Sequence, residues 1–174
     1  PLYLHQENAI RKAVKRQNLV VSTGTGSGKT EAFLIPILNH LLQEQKSGTL
    51  SSPGVRALLL YPMNALANDQ MKRLRRILEH YPDITFGRYI NINETPNKKT
   101  IAAEDFKATY PKEPFVPNEL RAREEMHTAP PHLLLTNYAM LEYLLLRPDS
   151  SPLFDGDTGK FWRFIVLDEA HIYD

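Results

Sequence analysis

The stretch "NLVVSTGTGSGKTE", residues 18–31, constrains the fold more than any other part of the chain. Three apolar β-formers, Leu19, Val20 and Val21, lead into a loop of small residues that ends on Lys29 and Thr30. Backbone without bulky Cβ groups can curl its N–H groups around an anion. A helix starting at about Gly28 aims its N-terminal N–H groups at the same place and adds the positive end of its dipole. Lys29 supplies a mobile charge for β- and γ-phosphates, and Thr30 a hydroxyl that can ligate Mg²⁺. The general phosphate-loop pattern asks for Gly at position 23, where this chain has Thr23, so the reading rests on the shorter core Gly26-Ser27-Gly28-Lys29-Thr30. The bland alternative is a flexible Gly/Ser turn with an incidental lysine. The context favours phosphate binding, with an apolar strand before the loop and an amphipathic helix after it.

The rest of the chain repeats that alternation. Strands are expected at 18–22, 55–62, 84–90, 132–137 and 161–169, and helices at 29–45, 64–81 and 138–147. The second helix should turn Leu66, Met71, Leu74, Ile77 and Leu78 inward, leaving "KRLRR" (72–76) as a solvated face. The basic run "IRKAVKR" (10–16) reads the same way. Strands joined by helices give an α/β fold, a mostly parallel sheet with helices on both faces. Ligands of such sheets sit beyond the carboxyl ends of the strands. The Gly-rich loop, "YPMNAL", "TNYAM" and "DEAH" all fall at such ends. Residues 91–131 differ: they are polar and hold six of the 13 prolines, which marks an insert with a helical piece at about 117–127.

Bulk properties narrow the partners. With 21 Lys and Arg against 20 Asp and Glu, the net charge is +1, so nucleic-acid binding must come from local patches. The chain has no Cys, which excludes disulfides and Cys-based metal sites within it. No apolar run approaches a membrane span, and no secretory signal is expected. A cytoplasmic protein is expected, with no membrane partner. The 174 residues make about one domain, and the final "DEAHIYD" gives it the look of a piece of a longer protein.

"FIVLDEAH" (164–171) places Asp168 and Glu169 at the exit of a strand. There Asp168 can hold the Mg²⁺ shell, while Glu169 orients and deprotonates an attacking water. With the phosphate loop, these are the two halves of a nucleotide hydrolase site.

At this point the chain resembles the first RecA-like domain of a superfamily 2 helicase with a DEAH box. The resemblance covers nearly all of it, as one P-loop NTPase domain over 1–174 that breaks off after "DEAH", motif II of the family. "YLHQENAI" (3–10) resembles the adenine-reading segment, "STGTGSGKTE" motif I, "YPMNALANDQ" motif Ia and "TNYAMLEYLLLRP" a motif Ic region. The wording is similar to that of large bacterial DNA helicases, including those of phage-defence systems of the DISARM type and zinc-module helicases. Residues 87–96 depart from the Gly-Arg-Tyr-Thr-Gly-type segment of such relatives.

The resemblance implies ATP and Mg²⁺ as ligands. Gln6 would read adenine. Thr23, Gly24, Thr25, Gly26, Ser27, Gly28, Lys29 and Thr30 would hold the phosphates. Thr30 and Asp168 would hold the metal, Glu169 would activate water, and His171 would couple the site to a neighbouring domain. Asn64, Ala65, Leu66, Arg88, Thr136 and Asn137 would contact nucleic-acid phosphates, of DNA before RNA. Hydrolysis would need an arginine finger from a second RecA-like domain, so this stretch alone should be slow or inactive. Two alternatives stand beside this reading: a nucleotide-stabilised protein-interaction module, and another P-loop NTPase such as a kinase.

Overall fold

Leu58, Leu59 and Leu60 on one strand and Leu133, Leu134 and Leu135 on another are all at most 4% exposed. Continuous apolar runs of this kind belong to strands covered on both faces. In the computed structural model, which describes residues 2–24, 26–146 and 152–172, they form the middle of a five-stranded sheet. The strands are β1 (Ala57–Tyr61), β2 (Phe86–Arg88), β3 (Glu119–Leu120), β4 (Leu133–Asn137) and β5 (Phe164–Leu167). Their order is β3-β2-β4-β1-β5, and every pairing is parallel.

The chain divides into two compact units, residues 1–49 and 50–174. The first contains helices α1 (Leu4–Val14) and α2 (Lys29–Ser47), which pack on each other. The basic run at 10–16 is mostly exposed, as expected of a solvated face. Helix α2 runs unbroken through Pro36, buries Leu34, Ile37 and Leu41, and ends on Gly48 in the left-handed conformation.

The second unit contains the sheet. Helix α3 (Asn64–Leu78) packs on β1 and β4. Helices α4 (Lys99–Thr109), α5 (Arg123–Thr128), α6 (Tyr138–Leu145) and the single turn α7 (Gly156–Gly159) complete it. Leu58, Leu60 and Leu134 share a core with Met126 of α5 and Leu144 of α6. Val55, which leads into β1, is part of the same core. The linker ahead of it is pinned by fully buried Arg56, whose Nη1 donates to the carbonyls of Ser52 (2.7 Å) and Gly54 (2.8 Å).

Several expectations need correction. Residues 18–22 form no strand, and Val20 is 94% exposed. A run of three apolar β-formers can extend, but it becomes a strand only by pairing, and the sheet is built from residues 57–167. The helix expected at 117–127 begins at Arg123, because Asn118 donates from Nδ2 to the carbonyls of Leu78, Tyr81 and Ile84 and draws 119–120 into the sheet as β3. Residues 91–131 thus carry two helices and an edge strand. On α3, Leu66 is 38% exposed, whereas Arg75 is only 5% exposed. Of the helix expected at 138–147, Arg147 lies outside the described residues.

Candidate nucleotide cradle and strand-end surface

In the first unit the loop turns on glycines. Gly26 has φ 75° and Gly28 φ 77°, the left-handed region that side chains resist. A Cβ on Gly28 would collide with Gln6 Nε2. Gly28 is also the N-cap of α2, so Lys29 and Thr30 are its first two residues, where four backbone N–H groups lack helical partners. Thr23 Oγ1 and Ser27 Oγ hydrogen-bond at 2.7 Å across the loop, and the Ser27 N–H donates to the Gly24 carbonyl at 3.4 Å. Gln6 is buried, donates from Nε2 to the Gly28 carbonyl (2.9 Å) and accepts from the Tyr3 N–H at Oε1 (2.9 Å). The residue expected at adenine is therefore tied to the loop expected at the phosphates. Thr25 lies outside the described residues.

In the second unit, parallel register aligns three strand ends. Tyr61 pairs with Asn137, and Leu60 with Leu167. The segments after β1, β4 and β5 therefore leave from the same edge of the sheet. The Asp168 N–H continues the ladder to the Leu60 carbonyl (3.0 Å). Glu169 then takes φ 51°, strained for a non-glycine residue. Its N–H donates to Asp168 Oδ1 (3.2 Å), and its carbonyl accepts from the Ile172 N–H (2.9 Å) over a 3₁₀ turn at Ala170–Ile172. His171 Nδ1 lies 3.5 Å from Glu169 Oε2.

Beside them, Asn64 opens α3 and Asn137 caps α6. Asn137 Oδ1 accepts from the Met140 N–H (2.8 Å), and its Nδ2 donates to Asn64 Oδ1 (2.9 Å). Ala65 and Leu66 come directly after Asn64 on the exposed first turn of α3. Arg88, at the end of β2, is 13% exposed and pairs with Glu94 (Nη1 to Oε2, 3.3 Å). Thr136 does not join this surface: it is fully buried, and its hydroxyl donates to the Tyr89 carbonyl (2.6 Å).

Sequence reasoning passed over two groups. Glu94 accepts from Asn64 Nδ2 (2.8 Å) and Asn91 Nδ2 (2.9 Å). Burial alone would raise its carboxyl pKa, but the Asn91 hydrogen bond and the Arg88 guanidinium hold it below the usual carboxylate value. The other group is a buried charge cluster. Arg75 grips Glu119 through Nε and Nη2, both at 2.8 Å, and Arg121 Nη2 reaches the same carboxylate at 2.7 Å. Burial lowers the Arg121 pKa, partly offset by Glu119. Both groups line a cleft of about 210 Å³ together with Phe106 of α4. Arg75 was detectable, since it stands four residues after Met71 and three before Leu78, on the inward face. For Glu94 the sequence carried no periodic signal.

Comparison with known proteins places this geometry in a family. The sequence profile of the DEAD/DEAH box helicases matches residues 3–174. The Druantia protein DruE of Escherichia coli (strain UMEA 4076-1) is 32% identical over 98% of this chain, which spans 14% of DruE. The ATP-dependent helicase hrq1 of Schizosaccharomyces pombe is 30% identical over 99% of the chain, which spans 13% of it. Among solved structures, the DUF1998 helicase MrfA matches with a TM-score of 0.67 and 27% identity, over 99% of this chain and 22% of MrfA.

Proposed function

Because the chain belongs to the DEAD/DEAH box helicase family and has the RecA-like fold of its first domain, we propose that it is the ATP-binding core of a DNA helicase or translocase. The observation that carries the reading is the loop of left-handed glycines that hands directly to Lys29 and Thr30 at the start of a 19-residue helix. Such a cradle takes phosphates through N–H groups and the helix dipole, with Lys29 adding a charge. We assign Thr23, Gly24, Thr25, Gly26, Ser27 and Gly28 to its wall. Gln6, already bonded to the loop, is assigned to adenine.

Thr30 and Asp168 offer a hydroxyl and a carboxylate, oxygen donors suited to Mg²⁺. When bound, that ion neutralises charge developing on the phosphates. Glu169 accepts the proton of the attacking water at its carboxylate. His171, in contact with Glu169, is the route by which a neighbouring domain acts on that base. Asn64, Ala65, Leu66, Asn137 and Arg88 supply neutral donors, helix N-terminal N–H groups and one cation to nucleic-acid phosphates. Buried Thr136 supports that surface from beneath. A second RecA-like domain supplies the arginine finger, and 91–131 is an insert of this domain. Resemblance to helicases of phage-defence systems makes defence the setting we propose.

The test uses the full-length protein. Lys29→Ala is expected to abolish ATP binding, measured with a fluorescent analogue; retained affinity overturns the cradle. Glu169→Gln is expected to bind ATP normally and lose turnover by a factor of at least about 100, the usual worth of a general base. Unchanged turnover would mean that another residue is the base.

A further inference from the structure

One carboxylate closes the chain of amides on the strand-end surface. Glu94 Oε1 accepts from both Asn64 and Asn91, while Oε2 faces the Arg88 guanidinium at 3.3 Å. Through Asn64 and Asn137 the chain continues to the first turn of α6. Arg88 also donates from Nη2 to the Glu94 carbonyl at 3.4 Å. The carboxylate is the outer partner: its side chain is 32% exposed against 13% for Arg88. An anion arriving from solvent therefore meets Glu94 before it meets Arg88.

We propose that Glu94 is a positioning residue and electrostatic latch on the nucleic-acid face: it holds Asn64 and Asn91 through Oε1 and masks Arg88 through Oε2 until a phosphate takes its place. The proposal rests on the reading that Arg88 contacts phosphate. A phosphodiester carries the same single negative charge as the carboxylate, so the exchange conserves the pairing of Arg88. It also sets a threshold, since only a ligand that offers several phosphates in register gains enough from neighbouring donors to displace a tethered carboxylate. Glu94 sits three residues from Asn91 in one turn, with its N–H donating to Asn91 Oδ1 (3.2 Å), so the displaced group stays close at hand.

The two functions of the carboxylate can be separated. Glu94→Gln keeps an oxygen for Asn64 and Asn91 but turns an amide toward Arg88 and removes the charge. Glu94→Asp keeps the charge. Binding of a mixed-sequence single-stranded DNA oligonucleotide to the full-length protein, measured over a salt series, is the readout. Glu94→Gln is expected to bind about two- to five-fold tighter, the range of a part-exposed ion pair. Its plot of log affinity against log salt should steepen by up to about 0.7, because no displaced carboxylate takes a counterion back. Glu94→Asp should stay near wild type, and adding Arg88→Ala to Glu94→Gln should remove the gain. If Glu94→Gln leaves affinity and slope unchanged, or weakens binding as a merely structural residue would, while Arg88→Ala weakens wild type, the latch is wrong and the phosphate contact stands. If Arg88→Ala changes nothing in either background, the reading of Arg88 fails and takes the latch with it.

Discussion

Arg75 decides whether residues 91–131 hang as a loop or stand as a wall. Its position on α3 sends the guanidinium inward, where it lies 4.8 Å from the Phe106 ring and 5.5 Å from Tyr110. The long stem and planar head suit this bidentate, stacked environment better than lysine would. Glu119 satisfies two arginines at once, and its side chain is 3% exposed. Breaking a buried pair strands the remaining charge and costs about 3–5 kcal/mol, whereas replacing both partners by apolar groups is often neutral. Glu119→Gln is therefore expected to strip hydrogen-exchange protection from 99–120 in the full-length protein. Replacing all three charges together, Arg75→Met, Glu119→Leu and Arg121→Met, should restore most of it. Equal loss in both variants would show that the cluster holds the segment by shape alone.

Among the elements, α6 shows how one side chain serves two ends. Asn137 caps the helix through Oδ1 and reaches Asn64 on α3 through Nδ2. Asn137→Ser keeps a capping oxygen and deletes the bridging donor, whereas Asn137→Ala also loses the cap, worth about 1 kcal/mol. Exchange protection of α6 is expected to fall for Ala and hold for Ser, while DNA affinity falls for both. An affinity loss confined to Ala would make the bridge incidental. The same scale shows what the sequence could disclose. The leucine runs of β1 and β4 and the period of α3 were legible, because burial on both faces and amphipathicity leave a pattern. So were the glycine loop and the Asp168-Glu169 exit, where chemistry restricts residue choice. Residues 18–22 carried a strand's composition without its pairing, and two-residue β3 is too short to show a period. Glu94 and Glu119 look like surface acids until Asn64 and Arg75, distant along the chain, come into place beside them.

Across these 174 residues, a net charge of +1 supplies almost no long-range pull on a polyanion. On the proposed function, the share of nucleic-acid affinity that these residues carry then depends on which cations touch phosphate, not on how many the chain carries. Helix α3 displays Lys72 and Arg76 on its outer side, and Lys72 lies 3.9 Å from Asp69. These charges are solvated and outside the Asn64–Asn137–Arg88 group, so few counterions would be released on their account. Each phosphate neutralised on a single strand steepens the salt dependence by about 0.7 in log–log slope. Replacing Lys72 and Arg76 together by Ala is expected to leave that slope unchanged in the full-length protein, whereas Arg88→Ala should flatten it, by less than about 0.7 because Glu94 offsets part of that charge in the wild type. Because each comparison is a difference from wild type, cations elsewhere in the protein cancel. A slope that fell with the α3 pair and not with Arg88 would move the nucleic-acid path from the strand ends to the outer face of that helix.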